Sequence, residues 1–163
     1  MKLWLFLLLM PLLAQAESFY LTVPGEGWSL QLDAPAIDGI KGERKGRYYR
    51  VTAMSLSSGV TFSLHSETEA SASHTECREK YWALSQTAPW KRENIRLFDE
   101  GNFAYVSHTM EVTYQGQLVK TANGHAYFVK NGLCMDLHVS QHPLQASSEK
   151  TIEAILRSLK LVP

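Results

Sequence analysis

The dipeptide Asn131-Gly132 restricts this chain more than any other feature. Asn-Gly supplies the two positive φ angles of a type I′ turn, and a two-residue turn fixes the register of the strands it joins. Counting outward, Lys130 opposes Leu133, Val129 opposes Cys134, and Phe128 opposes Met135. Tyr127 then meets Asp136, Ala126 meets Leu137, and His125 meets His138. Side chains alternate between faces along a strand. One face of the hairpin therefore carries Ala126, Phe128, Leu133, Met135, Leu137 and Val139, and is wholly apolar. The other carries Tyr127, Val129, Cys134, Asp136 and His138, apolar near Cys134 and polar towards His138.

The neighbouring sequence extends this hairpin on both sides. Asp99-Glu100-Gly101-Asn102 and Gln115-Gly116 read as turns, so Phe103 to Ser140 is a three-stranded antiparallel meander. Ile95 to Phe98 reads as a short strand before it. Behind the meander, Ile152, Ile155, Leu156 and Leu159 make an amphipathic stripe, predicting a helix over residues 146–161 that lies on the apolar face.

Upstream, Ser73-x-x-Glu76 is a capping box that opens a mid-chain helix. Cys77, Tyr81 and Leu84 form its predicted buried stripe, and Pro89 stops it. Weak alternation over 18–23, clear alternation over 28–32, and the runs 48–56 and 60–65 predict further strands. Residues 36–47, with three glycines among Lys41, Arg44, Lys45 and Arg47, read as a solvated loop; their spacing matches no phosphate-binding motif.

At the N-terminus, Lys2, the apolar run Leu3–Leu13 and Ala14-Gln15-Ala16 have the layout of a secretory signal peptide, too short to span a bilayer. The reading is a leader over 1–16 and a single domain over 17–163, periplasmic or secreted, with no integral membrane segment in the mature chain. Losing Lys2 from 16 basic and 16 acidic residues leaves a net charge of −1, which gives no reason to expect a nucleic acid partner. Cys77 and Cys134 are the two cysteines. In an oxidising compartment they read as one disulfide, worth about 4 kcal/mol in the chain-entropy account, with two buried thiols as the alternative.

With a helix on each side of it, the sheet is an α+β sandwich: antiparallel strands between a mid-chain and a C-terminal helix. The run Tyr127-Phe128-Val129-Lys130-Asn131-Gly132-Leu133, leading through Leu137-His138-Val139 into Ile152-Glu153-Ala154-Ile155-Leu156-Arg157-Ser158-Leu159, resembles the hairpin-then-helix ending of the PsbP-like fold family. That resemblance implies a non-enzymatic role as an assembly factor, adaptor or other small exported domain. It carries no catalytic residues to transfer and implies no cofactor.

The chemistry-bearing residues point the same way. Cys134 and His138 share a strand face but lie about 13 Å apart, too far for an imidazole to activate a thiol. His108, His125 and His138, with Asp136, are placed on one surface by the register and are the candidate metal or small-ligand site. Trp82, Trp90 and Arg92 have the composition of a protein-binding patch. The expected function is therefore a non-enzymatic exported module binding another envelope or exported protein, such as an adaptor, assembly factor or toxin-neutralising inhibitor. A module using the histidine surface for a small ligand or metal is the alternative.

Overall fold

The computed structural model describes residues 17–23, 25–46 and 48–163. The leader expected over 1–16 lies outside the described residues. The elements run β1 (Glu17–Thr22), β2 (Ser29–Ala34), β3 (Gly39–Lys45), β4 (Tyr48–Ser55), β5 (Val60–Ala70), α1 (His74–Ser85), β6 (Lys91–Glu100), β7 (Phe103–Tyr114), β8 (Gln117–Lys130), β9 (Leu133–Gln141), α2 (Ser148–Arg157) and β10 (Lys160–Val162).

Seven strands form one antiparallel sheet in the order β3-β4-β5-β9-β8-β7-β6. The meander sits at its centre with the predicted register, from Lys130 opposite Leu133 to His125 opposite His138. Both tight turns take the positive φ values their sequences call for, 50° and 78° at Gln115-Gly116 and 53° and 74° at Asn131-Gly132. The two helices lie on opposite faces. On the apolar face, α2 buries Ile152, Ile155 and Leu156 against Ala126, Phe128, Leu137 and Val139. It approaches β8 so closely that a Cβ on Gly124 would lie 2.5 Å from Ile152 Cγ2 and 2.7 Å from Leu156 Cδ1.

A second, three-stranded sheet in the order β1-β2-β10 shares that core through Leu21, Trp28, Leu30 and Leu32. Trp28 meets Phe128 edge-on at 6.0 Å between ring centroids and Tyr49 at 6.2 Å. Here the predicted C-terminal helix is corrected: it ends at Arg157, and the last residues turn back to pair Lys160 with Gln31 and Leu161 with Leu30. Short terminal strands of this kind have no periodicity of their own; the exposed β2 edge recruits them.

On the other face, α1 packs on β7, β8 and β9 around Cys77, Trp82, Val106, Tyr127 and Cys134. Cys77 and Cys134 are joined as a disulfide, closing a loop of 57 positions. Ser73 caps α1 by accepting from the Glu76 amide at 3.1 Å, while the Glu76 carboxylate accepts from the Ala72 amide at 2.8 Å. The buried stripe is rotated from the predicted one. Leu84 is 59 % exposed, and Arg78 and Trp82 are buried instead. The disulfide pins Cys77, an ion pair with Asp99 draws Arg78 inward, and Leu84 is carried outward by helix geometry.

The predicted 36–47 loop is also corrected. Gly39–Lys45 is a strand along the edge of the large sheet, pairing Lys41 with Thr52 and Lys45 with Tyr48. Every one of its residues is exposed, so no apolar alternation marked it in the sequence. The strand expected at Ile95–Phe98 extends over Lys91–Glu100, with a bulge between Glu93 and Arg96 where Asn94 takes φ 56°.

Candidate functional site

Two places on the α1 side gather chemistry: an imidazole cluster in the middle of the sheet and an aromatic–cation cluster at its β6 edge. The cluster exists because β7, β8 and β9 are in register. Val106 pairs with His125, His108 with Asn123, and His125 with His138, which puts all three histidines on the face of Asp136. Their rings stack. His125 and His138 are nearly parallel with centroids 4.4 Å apart, and His108 and His125 are parallel at 5.9 Å.

Stacking decides what the histidines can do. Ligating nitrogens that share a metal must converge on one point in their ring planes, whereas stacked rings direct theirs sideways in parallel. His125 and His138 instead bond to neighbouring side chains, while His108 Nδ1 is buried without a hydrogen-bond partner among the described residues. His125 Nδ1 meets Asp136 at 3.1 Å and 3.2 Å from the two carboxylate oxygens, and His138 Nε2 meets Asn123 Oδ1 at 3.1 Å. Among the described residues no three His, Cys, Asp or Glu side chains are placed to hold a metal ion. The metal reading of His108, His125, His138 and Asp136 is therefore corrected in its geometry: the four do assemble, but as a stack beside a carboxylate.

Burial sets the protonation of His108 and His138. His108 is held down to about 3, by burial first, then by repulsion from His125 and Arg92. His138 is also held down to about 3, again by burial first and then by His125. Burial, the largest single influence, works against ionisation of Asp136, but His125 by charge and hydrogen bond, with His65 and His138, together outweigh it, and the carboxyl titrates below the usual range. His65 also contributes. It pairs with Asp136 across β5 and β9 and favours the carboxylate, yet nothing in the local sequence marks it. That pairing joins strands some seventy positions apart, and turn chemistry specifies only neighbours. Among the described residues His125 bonds to the Asp136 carboxylate and to no hydroxyl or thiol, and Cys134 is in the disulfide, so His125 and Cys134 form no nucleophile–base pair.

At the β6 edge the three predicted partner-binding residues come together in unequal positions. Trp82 is only 5 % exposed, which corrects its reading as a surface residue; its ring lies 5.2 Å from His108 and 6.2 Å from His125. Arg92 covers it. The guanidinium sits 5.6 Å from the Trp82 ring and 5.4 Å from the Trp90 ring, and Nη2 donates to the Ser85 carbonyl at 2.6 Å. Trp90 is 46 % exposed at the outside of this sandwich.

Along β6 beyond it, Arg96 and Phe98 turn towards α2, where Arg96 meets Glu153 at 3.0 Å and Arg157 lies 4.5 Å over the Phe98 ring. Ile95 and Leu97 alternate with them and stay exposed on the α1 side. Their solvent exposure, which sequence periodicity does not report, was the part of the surface that reading by residue type missed.

No protein-family sequence model and no curated protein sequence matches the chain. Solved structures do resemble it. LpqN of Mycobacterium tuberculosis, a protein involved in cell envelope biogenesis, aligns with a TM-score of 0.51 at 12 % identity, over 90 % of this chain and 91 % of LpqN. A Bacteroides thetaiotaomicron protein aligns with a TM-score of 0.52 at 9 % identity, over 91 % of this chain but only 49 % of its own length. Cyanobacterial PsbP (CyanoP) from Synechocystis aligns with a TM-score of 0.53 at 12 % identity, over 91 % of this chain and 94 % of CyanoP. With its antiparallel sheet between two helices and its hairpin-then-helix ending, the chain has the PsbP-like fold.

Proposed function

We propose that this protein is an exported, non-catalytic module of the cell envelope that binds another envelope protein through the α1–β6 surface around Trp90 and Arg92. The observation that carries the reading is the half-exposed Trp90 ring held by Arg92, beside exposed Ile95 and Leu97 on an edge strand. An aromatic anchor already ordered by a cation and flanked by aliphatic side chains is the composition of an interface centre. Arg92 is anchored to both Trp82 and the Ser85 carbonyl, so little side-chain freedom is lost on binding.

Two further points support the reading. The leader pattern of residues 1–16 agrees with export. LpqN, which shares the fold, is involved in cell envelope biogenesis, and an envelope setting suits both.

The test is capture of partners from an envelope fraction by the immobilised mature chain, with identification by mass spectrometry. A specific partner should be retained by the native chain, and Trp90→Ala should weaken its binding about 30-fold, the effect of a hot-spot residue worth about 2 kcal/mol. Equal capture by Trp90→Ala and by Leu97→Ser, with thermal stability unchanged, would place the interface elsewhere.

A further inference from the structure

The opposite edge of the large sheet has a different chemistry. Strands β3 and β4 hold four of the chain's 16 basic residues, Lys41, Arg44, Lys45 and Arg50, and one of its 16 acidic residues, Glu43. In a chain neutral overall, this is a local positive end. Arg44 meets Glu26 at 2.8 Å. Lys41, Lys45 and Arg50 have no ion-pair partner among the described residues, and all three are exposed.

On the side of the sheet that carries α1, the hairpin is also bare among the described residues, its other side being buried through Tyr49, Val51 and Ala53. α1 packs on β7, β8 and β9, so the same sheet face is open over β3 and β4. There the register sets Lys41 beside Thr52, Glu43 beside Arg50, Lys45 beside Tyr48, and Gly39 beside Met54. Charges on an edge strand commonly serve to repel strand addition, a role that needs no apolar side chains. Here apolar groups stand among the cations: Ile40 is 55 % exposed, Met54 46 % and Tyr48 39 %. Tyr48 and Met54 share the face of Lys41 and Arg50, and Ile40, opposite Ala53, extends the apolar rim around the strand edge.

Unpaired cations interleaved with an exposed tyrosine and flexible aliphatic side chains are the composition of a peripheral membrane surface, where cations meet headgroup phosphates and apolar groups reach the acyl boundary. An acidic protein would satisfy the cations by charge alone, whereas the exposed Ile40, Tyr48 and Met54 among them call for an apolar layer beneath the anionic groups. We infer that the β3–β4 hairpin docks the protein, β3 edge first, on a bilayer rich in anionic phospholipid. β3 and β6 are the two outermost strands of the large sheet. Docking by β3 therefore leaves the Trp90 surface facing away from the membrane, and neither depends on the other.

Vesicle flotation of the mature chain tests this, using phosphatidylcholine alone and an equimolar mixture of phosphatidylcholine and phosphatidylglycerol. Binding is expected to the mixture only, weakening as salt is raised. Lys41→Glu with Arg50→Glu should lower vesicle affinity at least about 25-fold, about fivefold for each cation. Lys150→Glu with Lys160→Glu changes net charge equally at exposed positions on α2 and β10, and should leave most of the affinity in place. Tyr48→Ser with Met54→Ser should weaken binding even at low salt. All of these side chains are exposed, and unchanged thermal melting confirms that each variant is folded. Failure to bind the anionic vesicles would overturn the inference. An equal loss from the α2 and β10 pair, or no loss from the Tyr48 and Met54 pair, would also overturn it by reducing the hairpin to a general cation patch. None of these outcomes bears on partner capture through Trp90.

Discussion

The two helices of this protein hold to the same sheet by different means. α2 is held by shape and apolar area. Ile152, Ile155 and Leu156 enter a dry surface, and Gly124 lets the helix approach the strand closely. α1 buries little apolar surface of its own, chiefly Trp82 and Cys77. It is fastened by discrete bonds: the Cys77–Cys134 disulfide, the Arg78–Asp99 ion pair, and the Arg92 contact to the Ser85 carbonyl. Attachment by area is insensitive to redox state and pH, whereas attachment by bonds and titratable groups responds to both. The face of the sheet under α1 is accordingly where redox state and pH can act on the fold.

Removing the disulfide should separate the helices most. Cys77→Ala with Cys134→Ala is expected to cost about 4 kcal/mol through the 57-position loop it no longer closes. In hydrogen exchange, amides of α1 should lose protection well before those of α2. Uniform loss in both helices would show that α1 is not separately fastened. The converse is a truncation in the other helix. Leu156→Ala should cost about 3 kcal/mol and lower the protection of the whole molecule, because the cavity opens in the shared core.

Acid should act through the histidine stack. His108 and His138 fall from 6.5 to about 3 on folding. Above pH 6.5 both are neutral in the folded and unfolded chains, and their titration contributes nothing. Below it the unfolded chain takes up protons that the folded chain refuses, so stability falls as pH drops towards 3. Asp136, whose folded carboxyl is also lowered, adds to the loss in the same direction. Two pH units below 6.5, each histidine should cost about 3 kcal/mol. His108→Phe keeps an aromatic ring against Trp82 and removes one proton site. Its urea midpoint should therefore change less between pH 7 and pH 4.5 than that of the native chain, by an amount matching about one histidine. Parallel pH curves would show that His108 does not carry the effect.

The contrast between faces also explains what could be read in advance. The α2 face was legible because its evidence is periodic: alternation in β8 and β9, a type I′ turn that fixes register, and an apolar helix stripe. That register also placed His125 opposite His138 and Cys134 behind them. Elements whose reasons are not periodic were hidden. β3 is exposed on both sides and β10 is three residues long, so neither has a pattern, and both form because a neighbouring strand offers free backbone groups. The α1 stripe was misplaced because a cysteine, an arginine and a tryptophan held by specific bonds bury a face that apolar spacing assigns to Leu84. His65 joins the cluster only through a pairing between distant strands. Sequence pattern thus reports burial well and discrete fastening poorly, and the candidate sites lie where fastening dominates.

The smallest expected effect tests the same distinction at the helix ends. Both helices are preceded by serine, but only one of them uses it. Ser73 accepts from the Glu76 amide at 3.1 Å, whereas the Ser147 side chain makes no cap hydrogen bond. Helix α2, docked by its apolar stripe, stands without that bond; α1, with little apolar area to hold it, depends on its cap. Ser73→Ala should cost about 1 kcal/mol, and Ser147→Ala only a few tenths. The two chemical-denaturation midpoints decide the matter, since equal losses would mean that α2 relies on its first turn as much as α1 does.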